Sequence, residues 1–275
     1  MNTKTLAFIG GGNMASALIN GLIEDGTPPQ NILVAEPDEK RREQLAARFG
    51  IRTVDDNNNA AAQADILILA VKPQVLKEVA TALAPALIQK KPLCLSIAAG
   101  IRHASLQRWL GEDIPLVRVM PNTPAMLKAG ASGLYATEDV SETQRSEAEH
   151  IIRATGIAVW LDDEKQMDAL TAVSGSGPAY FFLFMEAMED SARKLGLPEK
   201  TAHLLVLQTA LGAARMAMES ASDLQELRNS VTSPGGTTEK ALAVFQEHKL
   251  EQLVEAAMTA AWDQSIALSE SLGAD

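Results

Sequence analysis

Thr5–Ile9 is a short apolar run that ends in Gly10-Gly11-Gly12-Asn13-Met14-Ala15, and Met14, Ala17, Leu18 and Leu22 then recur at helical spacing. The run reads as a buried strand and the spacing as the helix that follows it. Gly10, Gly12 and Ala15 fit the pattern G-x-G-x-x-G/A in the context that gives it meaning, after a strand and opening a helix. The first glycine makes the turn, the second lets a pyrophosphate approach the backbone, and Ala15 allows close packing of helix on strand. The opening of the chain therefore predicts a parallel α/β sheet with a dinucleotide at the carboxyl ends of its strands.

Five further apolar runs continue that reading: Ile32–Ala35, Ile66–Ala70, Leu93–Ser96, Leu116–Met120 and Ala158–Leu161. In a parallel sheet the loops leaving such strands gather on one edge, where ligands bind. Small residues at Ala70, Ala98 and Ala99 let a flat cofactor lie near the backbone there. Glu36, just past the second strand, is placed to accept hydrogen bonds from ribose hydroxyls and to repel a 2′-phosphate, which favours NAD. Lys40, Arg41 and Arg42 follow closely and can pair with that phosphate, or else form the solvated first turn of a helix running to Phe49. The residues leave the coenzyme form open. Pro121-Asn122-Thr123-Pro124 offers Asn122 as a polar contact and two prolines as rigidity. Ser141-Glu142-Thr143-Gln144 is a capping-box start for a helix reaching Thr155. The first domain is expected to span 1–161 and the second 162–275, with Leu161-Asp162-Asp163-Glu164 as the linker.

Past the linker the patterns are helical. Ser174-Gly175-Ser176-Gly177-Pro178 reads as a tight turn opening a helix from Ala179 to Leu195, with proline suited to the first turn. The free backbone N–H groups of such a helix start favour an anion, although a plain turn between domains needs glycine just as much. Gly196-Leu197-Pro198 ends that helix and restarts another, Thr201–Ser220, which is apolar on nearly all sides. A helix of that kind is buried deeply or shared between subunits, and the second domain is small enough to favour an oligomer interface. Leu227–Glu239 holds a second glycine-rich turn, opening a helix Lys240–Glu247. It carries more hydroxyls than a cap needs. A final amphipathic helix is expected from Leu250 to Leu272.

Composition excludes several alternatives. The net charge of −11 includes no basic run to neutralise phosphates, so no nucleic-acid partner is expected. Cys94 is the only cysteine, in an apolar run, which leaves neither an internal disulfide nor a thiolate cluster for a metal. No signal peptide and no membrane-length apolar run are seen, so a soluble cytoplasmic protein is expected. His103, His150, His203 and His248 read as surface or packing residues.

The motifs Gly10–Met14, Ala70-Val71-Lys72-Pro73, Met120–Pro124, Ser174–Tyr180 and Ser233-Pro234-Gly235-Gly236-Thr237-Thr238 together resemble the pyrroline-5-carboxylate reductase family over essentially the full length. The last two blocks, in this order and spacing, are highly specific. The resemblance implies an α/β Rossmann-type dinucleotide-binding domain followed by an all-α dimerisation domain, assembled as a dimer or a ring of dimers. It implies hydride transfer from NADPH, with NADH as the alternative, to a cyclic imine carboxylate. The coenzyme would lie on Gly10, Gly11, Gly12, Asn13 and Met14, with Glu36, Asn58, Ala70, Val71, Lys72, Pro73, Ala98 and Ala99 around it. Glu164, Ser230, Thr237 and Thr238 are the matching substrate positions, joined by Gly175, Ser176, Gly177 and Gly236 as backbone donors. A Thr238 hydroxyl placed at the ring nitrogen would be the catalytic group. Glu36 stands where members favouring NADPH often have serine, and Ser230 where some have asparagine. A β-hydroxyacid dehydrogenase is disfavoured because no lysine follows the Gly175–Gly177 turn before Lys194. A non-catalytic redox sensor would not need the hydroxyl-rich second turn.

Overall fold

The computed structural model describes residues 4–274. Strand β1 (Leu6–Ile9) lies inside a sheet that also contains β2 (Ile32–Ala35), β3 (Arg52–Val54), β4 (Ile66–Leu69), β5 (Leu93–Ser96), β6 (Leu116–Met120), β7 (Gly130–Ala136) and β8 (Gly156–Trp160). Among the described residues the order is β3-β2-β1-β4-β5-β6-β7-β8. The strands from β3 to β6 are parallel, β7 runs antiparallel to β6, and β8 is parallel to β7. Order 3-2-1-4-5-6 is that of a doubly wound dinucleotide-binding sheet, whose direction of winding reverses between β1 and β4.

Helices cover both faces, and so the central strands are apolar without alternation. Leu6, Phe8, Ile32, Val34, Ile66 and Ile68 point to one side, where they join Ala15, Leu18, Ile19 and Leu22 of α1 (Asn13–Glu24) and residues of α2 (Glu39–Phe49) in one core. Ala7, Ile9, Leu33, Ala35, Leu67 and Leu69 point to the other. They pack there with α3 (Asn57–Gln63), α4 (Pro73–Lys90) and α5 (His103–Leu110). Helix α6 (Glu142–Arg153) begins at the expected capping box, with the Gln144 amide on the Ser141 hydroxyl and the Ser141 amide on the Gln144 side chain.

The remaining helices are α7 (Gln166–Leu170), α8 (Gly177–Lys194), α9 (Glu199–Glu219), α10 (Leu224–Ser230), α11 (Thr237–Glu247) and α12 (Leu250–Gly273). The expected domain boundary at Leu161 marks the end of the sheet, but the packing divides the chain later. One compact unit runs through Ser176 and includes the stretch from Ala261 onward; the other is Gly177–Ala260. The last turns of α12 return to the first unit because Ser265 and Ser269 are buried there, with the Ser265 hydroxyl donating to Asp168 Oδ1 at 2.8 Å.

The strands β3 and β7 and the helices α3, α4 and α10 were not among the expected elements. β3 is three residues long with an exposed Arg52, too short for a pattern. β7, Gly130-Ala131-Ser132-Gly133-Leu134-Tyr135-Ala136, carries two glycines and reads as a loop. Its composition follows from close pairing with β8. Gly156 lies opposite Gly130 with φ +146°, and a Cβ on it would stand 2.0 Å from the Gly130 carbonyl oxygen. α10 was hidden in the turn Leu227–Glu239, and α11 starts at Thr237 rather than Lys240.

The second unit packs α8 against α9, with Ala202 and Val206 buried. Much of its apolar surface stays exposed, including Phe181, Phe182 and Leu183 of α8 and Leu204, Leu211 and Met216 of α9. Apolar patches of this kind mark an interaction surface, as the all-round apolar character of Thr201–Ser220 predicted. Among the described residues no helix is long and apolar enough to cross a membrane.

Gly156→Ala is expected to lower the unfolding free energy by about 2–4 kcal/mol, from left-handed strain plus overpacking against β7. Denaturant unfolding followed by circular dichroism checks it.

Candidate active site

The glycine turn after β1 is built as the sequence requires. Gly10 has φ +97°, donates its N–H to the Ala35 carbonyl at 2.8 Å, and would put a Cβ 2.9 Å from the Ala70 carbonyl oxygen. β1, β2 and β4 are thus locked together at the point where the sheet reverses. Gly12 is the N-cap of α1, and a Cβ there would meet no atom within 4 Å, so the backbone is open to close approach. The first turn of α1, with Asn13 and Met14, has no side-chain cap and no acidic residue. Its free N–H groups and helix dipole suit a diphosphate.

The other expected coenzyme residues gather at the same strand ends. Ala70 donates its N–H to Ile9 O at 2.9 Å, Lys72 is the N-cap of α4, and Pro73 is its first residue. Ala98 is buried just past β5 and Ala99 is exposed. Asn58 lies exposed in the first turn of α3, its amide donating to Asp56 Oδ1 at 2.8 Å. Glu36 is 7% exposed, and its Oε2 accepts the Gly11 N–H at 3.0 Å. A largely apolar cavity of about 240 Å³ opens beside these loops, lined by Pro73, Ala99, Gly100, Thr171, Ser176, Ser265 and Leu268 among others. It joins three of the expected residues, Pro73, Ala99 and Ser176. A wider, shallower depression of about 510 Å³ over His103, Gln107 and Asp139 holds none of them.

Glu164 has a different setting from the one expected. Its Oε1 accepts the His103 N–H at 2.6 Å and Arg118 Nη1 at 2.7 Å. Arg118 is 2% exposed, on β6, and its burial pushes the guanidinium below its ordinary value while the Glu164 carboxylate acts the other way. Arg102 Nη2 pairs with Asp168 Oδ2 at 2.7 Å, and Asp168 is also buried. Asp168 thereby links the segment before α5 to α12. Sequence reading missed Arg102, Arg118 and Asp168; the signal for Arg118 was a lone charge inside Leu116–Met120. Asn122 is likewise a brace, donating to the Ser174 carbonyl at 3.0 Å and accepting the Ala131 N–H at 2.9 Å.

The Gly175–Pro178 stretch is not the free helix start that its glycines suggested. The chain passes through a π-helical turn, Thr171–Gly175, and the Ser176 N–H donates to the Thr171 carbonyl at 2.8 Å. Gly175 is needed because a Cβ there would stand 2.8 Å from Met120 Cε. The second turn fits its expectation better. The Gly235 N–H is taken by Glu239 Oε2 at 2.9 Å and the Gly236 N–H by Ser233 O at 3.0 Å, but α11 begins without a side-chain cap. The N–H groups of its first turn therefore remain available. The hydroxyls of Thr237 and Thr238 have no hydrogen-bond partner among the described residues, whereas Ser230 Oγ donates to Leu227 O at 2.7 Å.

Thiol chemistry is excluded, because burial pushes the Cys94 thiol up to about 12. Among the described residues no group of three or more His, Cys, Asp or Glu is placed to hold a metal ion.

A doubly wound sheet with this glycine turn at its reversal point, joined to a helical unit with open apolar faces, defines a dinucleotide-binding oxidoreductase that self-associates. Comparison with known proteins narrows the class. Residues 164–268 match the family described as pyrroline-5-carboxylate reductase dimerisation, and residues 5–100 match NADP oxidoreductase coenzyme F420-dependent. The pyrroline-5-carboxylate reductase of Pseudomonas aeruginosa is 54% identical over 273 residues, 99% of this chain and 100% of that one. A structure of the reductase from Coxiella burnetii superposes with a TM-score of 0.94 at 44% identity, covering 98% of this chain and 99% of that one. That of the Plasmodium falciparum reductase, which has NADP bound, gives 0.86 at 31% identity over 98% and 99%. The chain belongs to the pyrroline-5-carboxylate reductase family.

Arg118→Leu should lower stability by about 3 kcal/mol, because it strands the Glu164 carboxylate. Arg118→Leu with Glu164→Leu should recover part of that loss, as read by denaturant midpoints of the three proteins.

Proposed function

We propose that this chain reduces L-1-pyrroline-5-carboxylate to L-proline, the last step of proline biosynthesis, in the cytoplasm. Membership of the family carries the reading, supported by 54% identity across the whole chain. A bound nicotinamide dinucleotide supplies a hydride to the imine carbon, and the ring nitrogen gains a proton. The protein's own task is then positioning more than strong base catalysis, since a protonated imine is already electrophilic.

The coenzyme is held by the Gly10–Gly12 turn and the first turn of α1, with Glu36, Asn58, Ala70–Pro73 and Ala98-Ala99 beside it. The expected coenzyme is NADPH, with NADH as the alternative. The substrate carboxylate is held by the N–H groups of Thr237 and Thr238, where α11 begins uncapped, since the expected Gly236 N–H is already taken by the Ser233 carbonyl. Thr238 carries the unpartnered hydroxyl that hydrogen-bonds the ring nitrogen and helps supply its proton. Ser230 and the Gly175–Gly177 stretch complete the substrate positions. The Glu164 carboxylate, with Oε1 already engaged by Arg118 and His103, contributes through its remaining oxygen or by bracing the segment. The open apolar faces of α8 and α9 join a second copy, giving a dimer or a ring of dimers.

The test is loss of reduced-nicotinamide absorbance with the five-membered imine. Turnover with NADPH or NADH supports the reading, and tight coenzyme binding without turnover on the imine overturns it. Thr238→Ala should lower kcat by about 100-fold, the range for loss of a proton-transfer group. Coenzyme Kd should stay unchanged and Thr238→Ser should restore most of the rate. An unchanged kcat removes Thr238 from the mechanism.

A further inference from the structure

The two coenzyme forms differ only by a phosphate on the adenosine ribose, and in a doubly wound sheet that ribose lies at the end of the second strand. Glu36 follows β2, next to the strand whose end carries the glycine turn, since Ile9 and Ala35 are paired. Its carboxylate is fixed there from both oxygens: Oε2 accepts the Gly11 N–H at 3.0 Å and Oε1 the Asp38 N–H at 3.2 Å. The glycine turn itself holds the group in place, and burial of the side chain, 9% exposed, denies it a swing into solvent.

An ionised carboxylate only accepts hydrogen bonds and has about four acceptor positions. Two serve the protein amides, which leaves capacity for ribose hydroxyls, which can donate. A 2′-phosphate monoester cannot donate when ionised and carries a charge of about −1.5 to −2. Beside Glu36 it meets like charge with no hydrogen bond to offset it.

The neighbouring cations do not reverse that balance. Arg42 Nη1 is already held by the carbonyls of Glu36 and Pro37, at 2.8 and 2.9 Å. Arg41 Nη1 lies 3.9 Å from Glu36 Oε2, so its charge is directed at the carboxylate. Lys40 is exposed on the first turn of α2.

We propose that Glu36 is the specificity-determining residue for the coenzyme, accepting the ribose hydroxyls of NADH and excluding the 2′-phosphate of NADPH, so that NADH is the preferred hydride source. This rests on the reductase reading above, and the experiment separates the two. Kd for NAD⁺ and NADP⁺ is measured by calorimetry, and kcat/KM for NADH and NADPH with saturating imine, on the wild-type chain and Glu36→Gln. Glutamine keeps an acceptor for the Gly11 N–H, loses the charge and gains a donor for phosphate. The wild type should favour the unphosphorylated form by at least about tenfold in both measures, and Glu36→Gln should narrow that by about tenfold, chiefly through tighter NADP⁺ binding. A wild type that favours NADP⁺, or a ratio unmoved in Glu36→Gln, overturns the proposal. Arg41→Ala is a second variant that leaves the glycine turn intact. With its charge directed at Glu36, its loss should leave the ratio unchanged, and a collapse of NADP⁺ binding alone would overturn the proposal by showing that Arg41 holds the phosphate. The expected Kd ratio without turnover on the imine would sink the reductase reading and leave the assignment of Glu36 standing.

Discussion

Strand β1 is flanked on both edges and covered on both faces, so the chain can leave it only through a residue that tolerates crowding from three directions. Gly10 is that residue. Its amide closes onto β2, the carbonyl of Ala70 at the end of β4 lies where a side chain would begin, and its positive φ turns the chain into α1. The order of the strands, the opening of the loops on one edge and the exposure of the amides at Gly12 and beyond depend on that turn. A doubly wound sheet has a crevice where its winding reverses, and here the crevice is built by a steric constraint.

Sequence legibility followed local physics. Runs such as Ile32–Ala35 and Ile66–Leu69 were visible because a strand covered on both faces needs apolar side chains on both. The capping box at Ser141 was visible because its four residues carry their own explanation. β7 was hidden because its glycines answer to a partner strand, and no local pattern records that Gly130 must lie against Gly156. The later division of the packing was hidden for a similar reason. Leu161 does end the sheet, but the return of α12 depends on a hydroxyl near the C-terminus meeting Asp168 across 97 positions.

The candidate site divides in the same way. Gly10, Gly12 and Ala15 sit in one contiguous motif with a steric meaning for each residue; the structure shows the turn at Gly10 and the tight packing of Ala15 in the core. The glycines at 175 and 177 looked like the same device, yet Gly175 answers to the Met120 side chain and the Ser176 amide between them is bonded to the Thr171 carbonyl. Glu164 looked like a free carboxylate in a linker. Its partner Arg118 sits in a strand whose other residues are apolar, and only the folded chain shows that the two charges account for each other. Thr237 and Thr238 stood out because surplus hydroxyls beside glycines are a local signal, although they open α11 rather than end the turn before it.

The apolar faces of α8 and α9 tie the protein's persistence to its abundance. A surface with Phe181, Phe182 and Leu183 open to water is shielded where a second copy covers it, as proposed above. Assembly equilibria follow mass action, so folded stability rises with protomer concentration. A cell that dilutes the chain by division without resynthesis thus moves it toward the dissociated form, whose bared aromatic residues invite aggregation and proteolysis.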